Sequence, residues 1–349
     1  MTAQAPESAR RGHVLIARLD SLGDLLLAGP AVRAAACSAA AVTMLVGEGR
    51  REDASLLPGV DEVIEFAAPW VMFEPGAVQP DKISALITEV RDAEVDAALI
   101  LTSFHQSPLP LALLLRMACV GWIGAISEDY PGSLLDLRHR IEQQLPEPER
   151  NLSLAKAAGF LPDERGAQLA VRGPLPDVAR WTGSDPYLVF HPGASSSSRR
   201  PTAEHSRMLV AGLVDAGYRV IITGSASEAT LAGYVADGRA CDLSGRLDLP
   251  QLAAVLERAQ VVVAPNTGPA HLAAAVQTPV VSLFAPVVPA TSWAPYGIPT
   301  IILGDQQADC RDSRARTCPL PGHPCLSSIR PEDVVEAVGR IAYTGVGAP

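Results

Sequence analysis

The feature that most limits how this chain can fold is a series of short, almost wholly apolar strand segments with helical segments between them. HVLIARL, AVTMLVG, VDEVIEF, AALILTS and VGWIGA are separated by LLLAGPAVRAAA, residues 81–92 and LPLALLLRMA. A strand that is apolar on both sides must be covered on both faces, and intervening helices supply that cover. The alternation therefore predicts a parallel sheet. It breaks at about residues 141–185, where EQQLPEPER and RGPLPDVARWTGSDP are rich in proline and charge. The first reads as a loop leading into the helix NLSLAKAAG, the second as an interdomain linker. The alternation then restarts with YLVFHPG, YRVIITGS, VVVAPN, VVSLFAP and TIILG. Helices at residues 203–216, SEATLAGYVAD, LPQLAAVLERA and PAHLAAAV lie between. PEDVVEAVGRIAY, with Pro331 near its first turn, is the final helix. The expectation is an α/β protein of two doubly wound halves, in line with a length of 349 residues. Residues 1–11 are polar and read as a frayed tail.

Composition narrows the function classes. Hydrophobic residues make up 48% of the chain, enough for a sizeable core in each half. The net charge of −10 argues against nucleic acid or anionic lipid as a whole-surface partner. An anionic ligand must be held locally, by backbone amides and a few arginines. The segment of residues 109–120 is too short to span a bilayer and contains Arg116, and Asp20 and Asp24 interrupt the apolar run after Arg10 and Arg11 as no signal sequence would. The expected compartment is the reducing cytoplasm, where six cysteines need not form a disulfide scaffold.

Ligands of doubly wound sheets bind beyond the carboxyl ends of the strands, and in a two-domain version between those edges. Five polar turns matter there. RLDSLGDLLLAGPAV (residues 18–32) puts Asp20, Ser21, Gly23 and Asp24 where a strand becomes a helix. Asp24 can cap that helix or face a substrate as a general base. HPGASSSSRRPTAEH (residues 191–205) offers hydroxyls, Ser195 among them, with Arg199 and Arg200. These could grip a phosphate or form a flexible, solvated loop. In TGSASE (residues 223–228), Glu228 suits a capping box or could accept hydrogen bonds from a ribose. In VVVAPNTGPAHLAAAV (residues 261–276), Asn266, Thr267, Gly268, Pro269 and His271 crowd one helix start. One capping residue would suffice structurally, so the crowding points to an anion site built on the helix N-terminus. CRDSRARTCPLPGHPC (residues 310–325) carries three cysteines and His323 but no C-x2-C knuckle. It reads as reduced thiols packing a loop rather than as a zinc site, and Arg311, Arg314 and Arg316 as a solvated face. G-x-G-x-x-G, Walker, H-E-x-x-H and G-x-S-x-G patterns are absent.

Together these turns resemble glycosyltransferase family 9, the heptosyltransferase family. RLDSLGDLLLAGPAVRA, HPGASSSSRRPTAEH, PNTGPAHLAAAVQTPVVSLFAP and CPLPGHPCL match its segments in order over almost the whole chain. The resemblance implies the GT-B architecture: two Rossmann-like doubly wound domains facing across a cleft. Residues 12–178 would form the acceptor-side domain and 185–328 the nucleotide-sugar domain, with a helix at 329–345 crossing back to the first. It implies an inverting, metal-independent transferase with no cofactor, moving a sugar, typically heptose from ADP-heptose, to a hydroxyl. Asp24 matches the catalytic aspartate, and Gly268 and His271 the donor-diphosphate turn. Arg199 or Arg200 falls at the family's basic phosphate position, and Glu228 near its ribose-binding acid. Two departures bear on donor identity: Asn266 stands where the family usually has Asp, and Pro201 where it has Trp.

The acceptor implied is a glycan, glycolipid or small molecule, with at most peripheral contact at the inner membrane face. Arg18, Ser21, Gly23, His105 and Gln106 are the candidates on the acceptor side. Two other classes remain open. One is a nucleotide-sugar epimerase of the same architecture. The other is a non-catalytic sugar-nucleotide binder, which the altered Asn266 and Pro201 would suit.

Overall fold

The computed structural model describes residues 4–345 apart from Phe73 and Phe104, and side chains as far as residue 342. The chain divides into two compact units, Met1–Arg172 and Gly173–Pro349. The division falls at the start of the proline-rich segment RGPLPDVARWTGSDP.

The first unit contains β1 (His13–Arg18), β2 (Ala41–Val46), β3 (Glu62–Glu65), β4 (Ala97–Ile100), β5 (Trp122–Ile126) and β6 (Leu137–His139). They pair in parallel in the order β3-β2-β1-β4-β5-β6. The second unit contains β7 (Leu188–Phe190), β8 (Val220–Ile222), β9 (Cys241–Asp242), β10 (Val262–Pro265), β11 (Val280–Leu283) and β12 (Thr300–Leu303). These are also all parallel, in the order β12-β11-β10-β7-β8-β9. Counted from its own first strand, each sheet has the dinucleotide-fold order 3-2-1-4-5-6, as the doubly wound reading expects. The order reverses between β1 and β4 in one unit and between β7 and β10 in the other. A crevice opens at such a reversal, because the loops on its two sides leave for opposite faces.

Burial explains the apolar strands. Val14, Leu15 and Ile16 of β1 and Ala97, Ala98 and Leu99 of β4 have no exposed surface. Helix Leu22–Ala36 packs against helix Glu147–Ala157, and Asn151 on the latter donates through Nδ2 to the Leu27 carbonyl at 3.1 Å.

Two expectations need correction. Residues 7–11 are a short helix rather than a frayed tail. The Ala5 amide donates to the Ala158 carbonyl at 3.1 Å, and Arg10 donates to the Gly159 carbonyl at 2.9 Å. Buried Ala5 and Ala9 anchor a segment whose overall composition is polar. The stretch PEPER is helical from Glu147 on, because Pro148 occupies the first turn, where no amide donor is needed. The final helix, Pro331–Gly345, packs within the second unit. Val334, Ala337, Val338 and Ile341 form one apolar stripe, and it is spent in that unit's own core, against helix Ala203–Asp215, β11 and β12.

Gly212 lets that final helix approach: a β-carbon there would stand 2.6 Å from Cβ of Pro331. Gly212→Val should therefore destabilise the protein by about 1–3 kcal/mol through overpacking. Denaturant unfolding measures this, and a variant as stable as the parent would contradict the packing described.

Candidate active site

In the first unit the site grows from the last residue of β1. Arg18 is fully buried and its guanidinium is ringed by acids. Nε lies 2.9 Å from Asp20 Oδ2, Nη2 lies 2.8 Å from Asp24 Oδ1, and Nη1 lies 3.5 Å from Glu147 Oε2. Nη2 also donates to Ser103 Oγ at 3.0 Å. Asp24 is the third residue of helix Leu22–Ala36, and its Oδ2 accepts from the Ser21 amide at 3.2 Å and the Ser21 hydroxyl at 2.6 Å. The two readings of Asp24 are thus compatible. Its carboxylate closes a capping box, pairs with Arg18 and keeps 15% of its side-chain surface open. Asp20 accepts from Gln106 Nε2 at 2.6 Å, and Gln106 Oε1 accepts from the Ser103 amide at 3.1 Å. The turns after β1 and β4, on either side of the strand-order reversal, are thereby locked together.

The electrostatics separate these carboxyls. Burial is the largest influence on Asp24 and would raise its pKa. The Arg18 charge and the Ser21 hydrogen bonds outweigh burial, so the group stays below its ordinary value and is ionised at neutral pH. Burial wins at Asp20 against Arg18, and at Glu147 against Arg18 and Arg150, so both are pushed upward. Burial alone would lower the Arg18 pKa, but Asp20, Asp24 and Glu147 together reverse this, and the guanidinium keeps its charge.

In the second unit three turns leave the adjacent strands β10, β7 and β8. His191 follows β7, and its amide donates to the Val263 carbonyl at 2.9 Å. Its Nδ1 lies 3.1 Å from Thr223 Oγ1, which follows β8. Glu228 closes a capping box, accepting through Oε2 from the Ser225 amide at 2.8 Å and the Ser225 hydroxyl at 2.9 Å. Its other oxygen rests on the HPG turn: a β-carbon at Gly193 would come within 1.9 Å of Glu228 Oε1, so any side chain there would displace the carboxylate. After β10, Thr267 is the N-cap of helix Gly268–Ala275 but makes no side-chain capping bond, and Pro269 sits in the first turn. Asn266 is 5% exposed, and its Nδ2 finds no hydrogen-bond partner among the described residues. A helix N-terminus without a side-chain cap, beside a buried amide donor, is suited to an anion.

The serine loop is anchored rather than flexible. Ser198 donates through its amide to the Arg316 carbonyl at 3.0 Å, and His323 Nε2 lies 3.0 Å from the Ser198 carbonyl. The cysteine segment thus serves as a brace under Arg199 and Arg200. Cys310 and Cys325 are buried there, and burial raises both thiols, Cys325 to about 12, so they are protonated. Among the described residues no cluster of His, Cys, Asp and Glu is placed to hold a metal ion.

Comparison with known proteins gives this arrangement a family. The model for "Glycosyltransferase family 9 (heptosyltransferase)" matches residues 83–323, well over half of the chain. The chain belongs to glycosyltransferase family 9. Lipopolysaccharide heptosyltransferase 1 of Pseudomonas aeruginosa is 30% identical over 330 residues, covering 88% of this chain and 87% of that protein. Its counterpart in Escherichia coli K12 is 28% identical over 293 residues, covering 79% and 89%. Among solved structures, a family 9 glycosyl transferase from Veillonella parvula superposes with a TM-score of 0.73 at 16% identity, covering 95% of this chain and 97% of the other. The Escherichia coli heptosyltransferase WaaC, solved with ADP-2-deoxy-2-fluoro heptose, gives 0.70 at 24% identity, covering 94% and 99%. These likenesses agree with the paired parallel sheets of the GT-B architecture.

In this family 9 glycosyltransferase the structure gathers Arg18, Ser21, Gly23, Asp24 and Gln106 in one place. His105 is exposed nearby, and its charge acts on Asp20. In the other unit Asn266, Thr267, Gly268, Pro269 and His271 form one turn, Glu228 lies against the HPG turn, and Ser195 is exposed ahead of half-buried Arg199 and Arg200. Sequence reading missed Ser103, Glu147 and Arg150 in the first unit and the His191–Thr223 contact in the second. The first three had no signal beyond residue type. The His191–Thr223 contact was implicit in two motifs at the ends of neighbouring strands.

Burial, partly offset by Glu228 and Thr223, lowers the His191 pKa from 6.5 to about 4. The unfolded chain protonates this residue near 6.5 and the native state near 4. Stability should therefore fall as pH drops through that window, by about 3 kcal/mol in all. Unfolding of the parent and of His191→Gln at pH 7 and pH 4.5 isolates this part. Equal losses in the two proteins would contradict the buried, neutral imidazole.

Proposed function

We propose that this glycosyltransferase is inverting and metal-independent and transfers heptose from ADP-heptose to a hydroxyl of a glycan or glycolipid acceptor. The observation that carries the reading is the Asp24 carboxylate, held ionised by Arg18 and Ser21 yet partly open at the carboxyl edge of its sheet. In the reaction it takes the acceptor's hydroxyl proton as that oxygen bonds to the anomeric carbon, since the hydroxyl becomes acidic only as the new bond forms. The displaced ADP leaves from the opposite face, so the anomeric configuration inverts in one step.

The leaving diphosphate gains negative charge, and groups fixed beforehand can stabilise it. The Gly268 helix start, the Asn266 amide and Arg199 or Arg200 are suited to that task, which a metal ion would otherwise perform. Asn266 offers a donor where the family usually presents a carboxylate, which is favourable beside a phosphate. Glu228 Oε1 on the HPG turn is suited to ribose hydroxyls. The identity of the donor rests on the WaaC structure with an ADP-heptose analogue, and the acceptor class on the names of the lipopolysaccharide heptosyltransferases. A nucleotide-sugar donor suits a cytoplasmic reaction, and a lipid-linked acceptor would bring the enzyme to the inner membrane face.

Asp24→Asn should lower transfer by about 10²–10⁴-fold while a thermal shift with ADP-heptose persists. At donor concentrations near 100 Kd that shift reflects about 2.7 kcal/mol. Normal turnover by the variant would remove Asp24 from the role of base. Isomerised sugar, or binding without product in the parent, would favour the epimerase or the binder instead.

A further inference from the structure

Glu147 has no part in the chemistry above, yet it is placed against the same guanidinium as Asp24. It opens helix Glu147–Ala157, and its side chain is 2% exposed. Its Oε2 lies 3.5 Å from Arg18 Nη1 and 3.6 Å from Arg150 Nη1, and no hydrogen bond reaches that oxygen. Arg150 in turn donates to the Thr102 carbonyl beyond β4. Glu147 and Asp24 therefore draw on opposite ends of Arg18, one on Nη1 and the other on Nη2. Buried charges at these separations interact strongly, because little water screens them.

We propose that Glu147 is a positioning residue that sets the basicity of Asp24 through Arg18. Its negative charge takes up part of the Arg18 field, which would otherwise fall wholly on Asp20 and Asp24. An Asp24 stabilised without limit by Arg18 would be a poor acceptor for an alcohol's proton. The charged groups acting on Glu147 are Arg18 from β1, Asp20 from the following turn, Asp24 from helix Leu22–Ala36 and Arg150 from its own helix. Two guanidinium groups thus face three carboxyls, and the surplus negative charge is what keeps Asp24 from being over-stabilised. Burial also pushes the Glu147 carboxyl upward, against the pull of Arg18 and Arg150.

This inference rests on Asp24 as the base, and the test separates the two. Glu147→Gln keeps the shape and removes the charge. The expected result is a kcat about three- to tenfold lower at neutral pH, a donor KM within about twofold of the parent, and an acid limb of the kcat profile moved to lower pH. Glu147→Asp restores the charge on a shorter arm and should return the profile toward the parent. If Asp24→Asn is inactive but the Glu147→Gln profile superimposes on the parent's, the inference fails while the base assignment stands. A loss of thermal stability with an unmoved profile also overturns it, because a purely structural role predicts that result. If Asp24→Asn still transfers sugar, the base assignment fails and this inference with it.

Discussion

A guanidinium with no exposed surface can persist in a protein interior only if carboxylates surround it, and Arg18 sets that condition for the whole first unit. It stands at the end of a strand whose preceding four residues are wholly apolar. Its counter-charges come from the following turn, from the first turn of helix Leu22–Ala36 and from helix Glu147–Ala157, and its neutral partner Ser103 from the turn after β4. The packing of those two helices, and the adjacency of β1 and β4, are therefore tied to one buried charge. The same charge keeps Asp24 ionised and partly open, as its proposed role of proton acceptor requires.

The second unit uses the same strand order for the opposite electrostatic task. Its central turns present few fixed charges. They offer a helix start without a side-chain cap, a buried amide donor and a neutral histidine, with two arginines on a braced loop. The proposed transfer makes both demands: a carboxylate for an alcohol's proton and a positive field for a departing diphosphate. The repeat of one topology supplies two strand-order reversals, one bearing an ionised carboxylate and the other an uncapped helix start with arginines nearby.

The parallel sheets were legible because their strands are buried on both faces, which leaves runs such as HVLIA and VVVA with no polar position. Short edge strands were not: β6 and β9 are three and two residues long and lack an apolar run. The turn residues were legible where several polar side chains interrupt apolar sequence at a strand end, as in RLDSLGD and PNTGPAH. Glu147 was invisible, because PEPER looks like a solvated loop and its burial follows only from a helix that starts earlier than its prolines suggest. The final helix was legible as amphipathic, but not the surface its stripe would meet.

The sequence by itself determined the alternation, and with it two doubly wound sheets, and it placed the polar turns at the carboxyl ends of their strands. Those properties depend on residue type and on spacing along the chain. Tertiary structure alone decided which acids share Arg18, which carboxylate stays ionised and which is driven toward its neutral form. It also decided that Glu228 rests on Gly193 and that the last helix closes its own unit. Charge state and contact depend on burial and on distances between residues far apart in sequence, and neither is fixed until the strands have found their order.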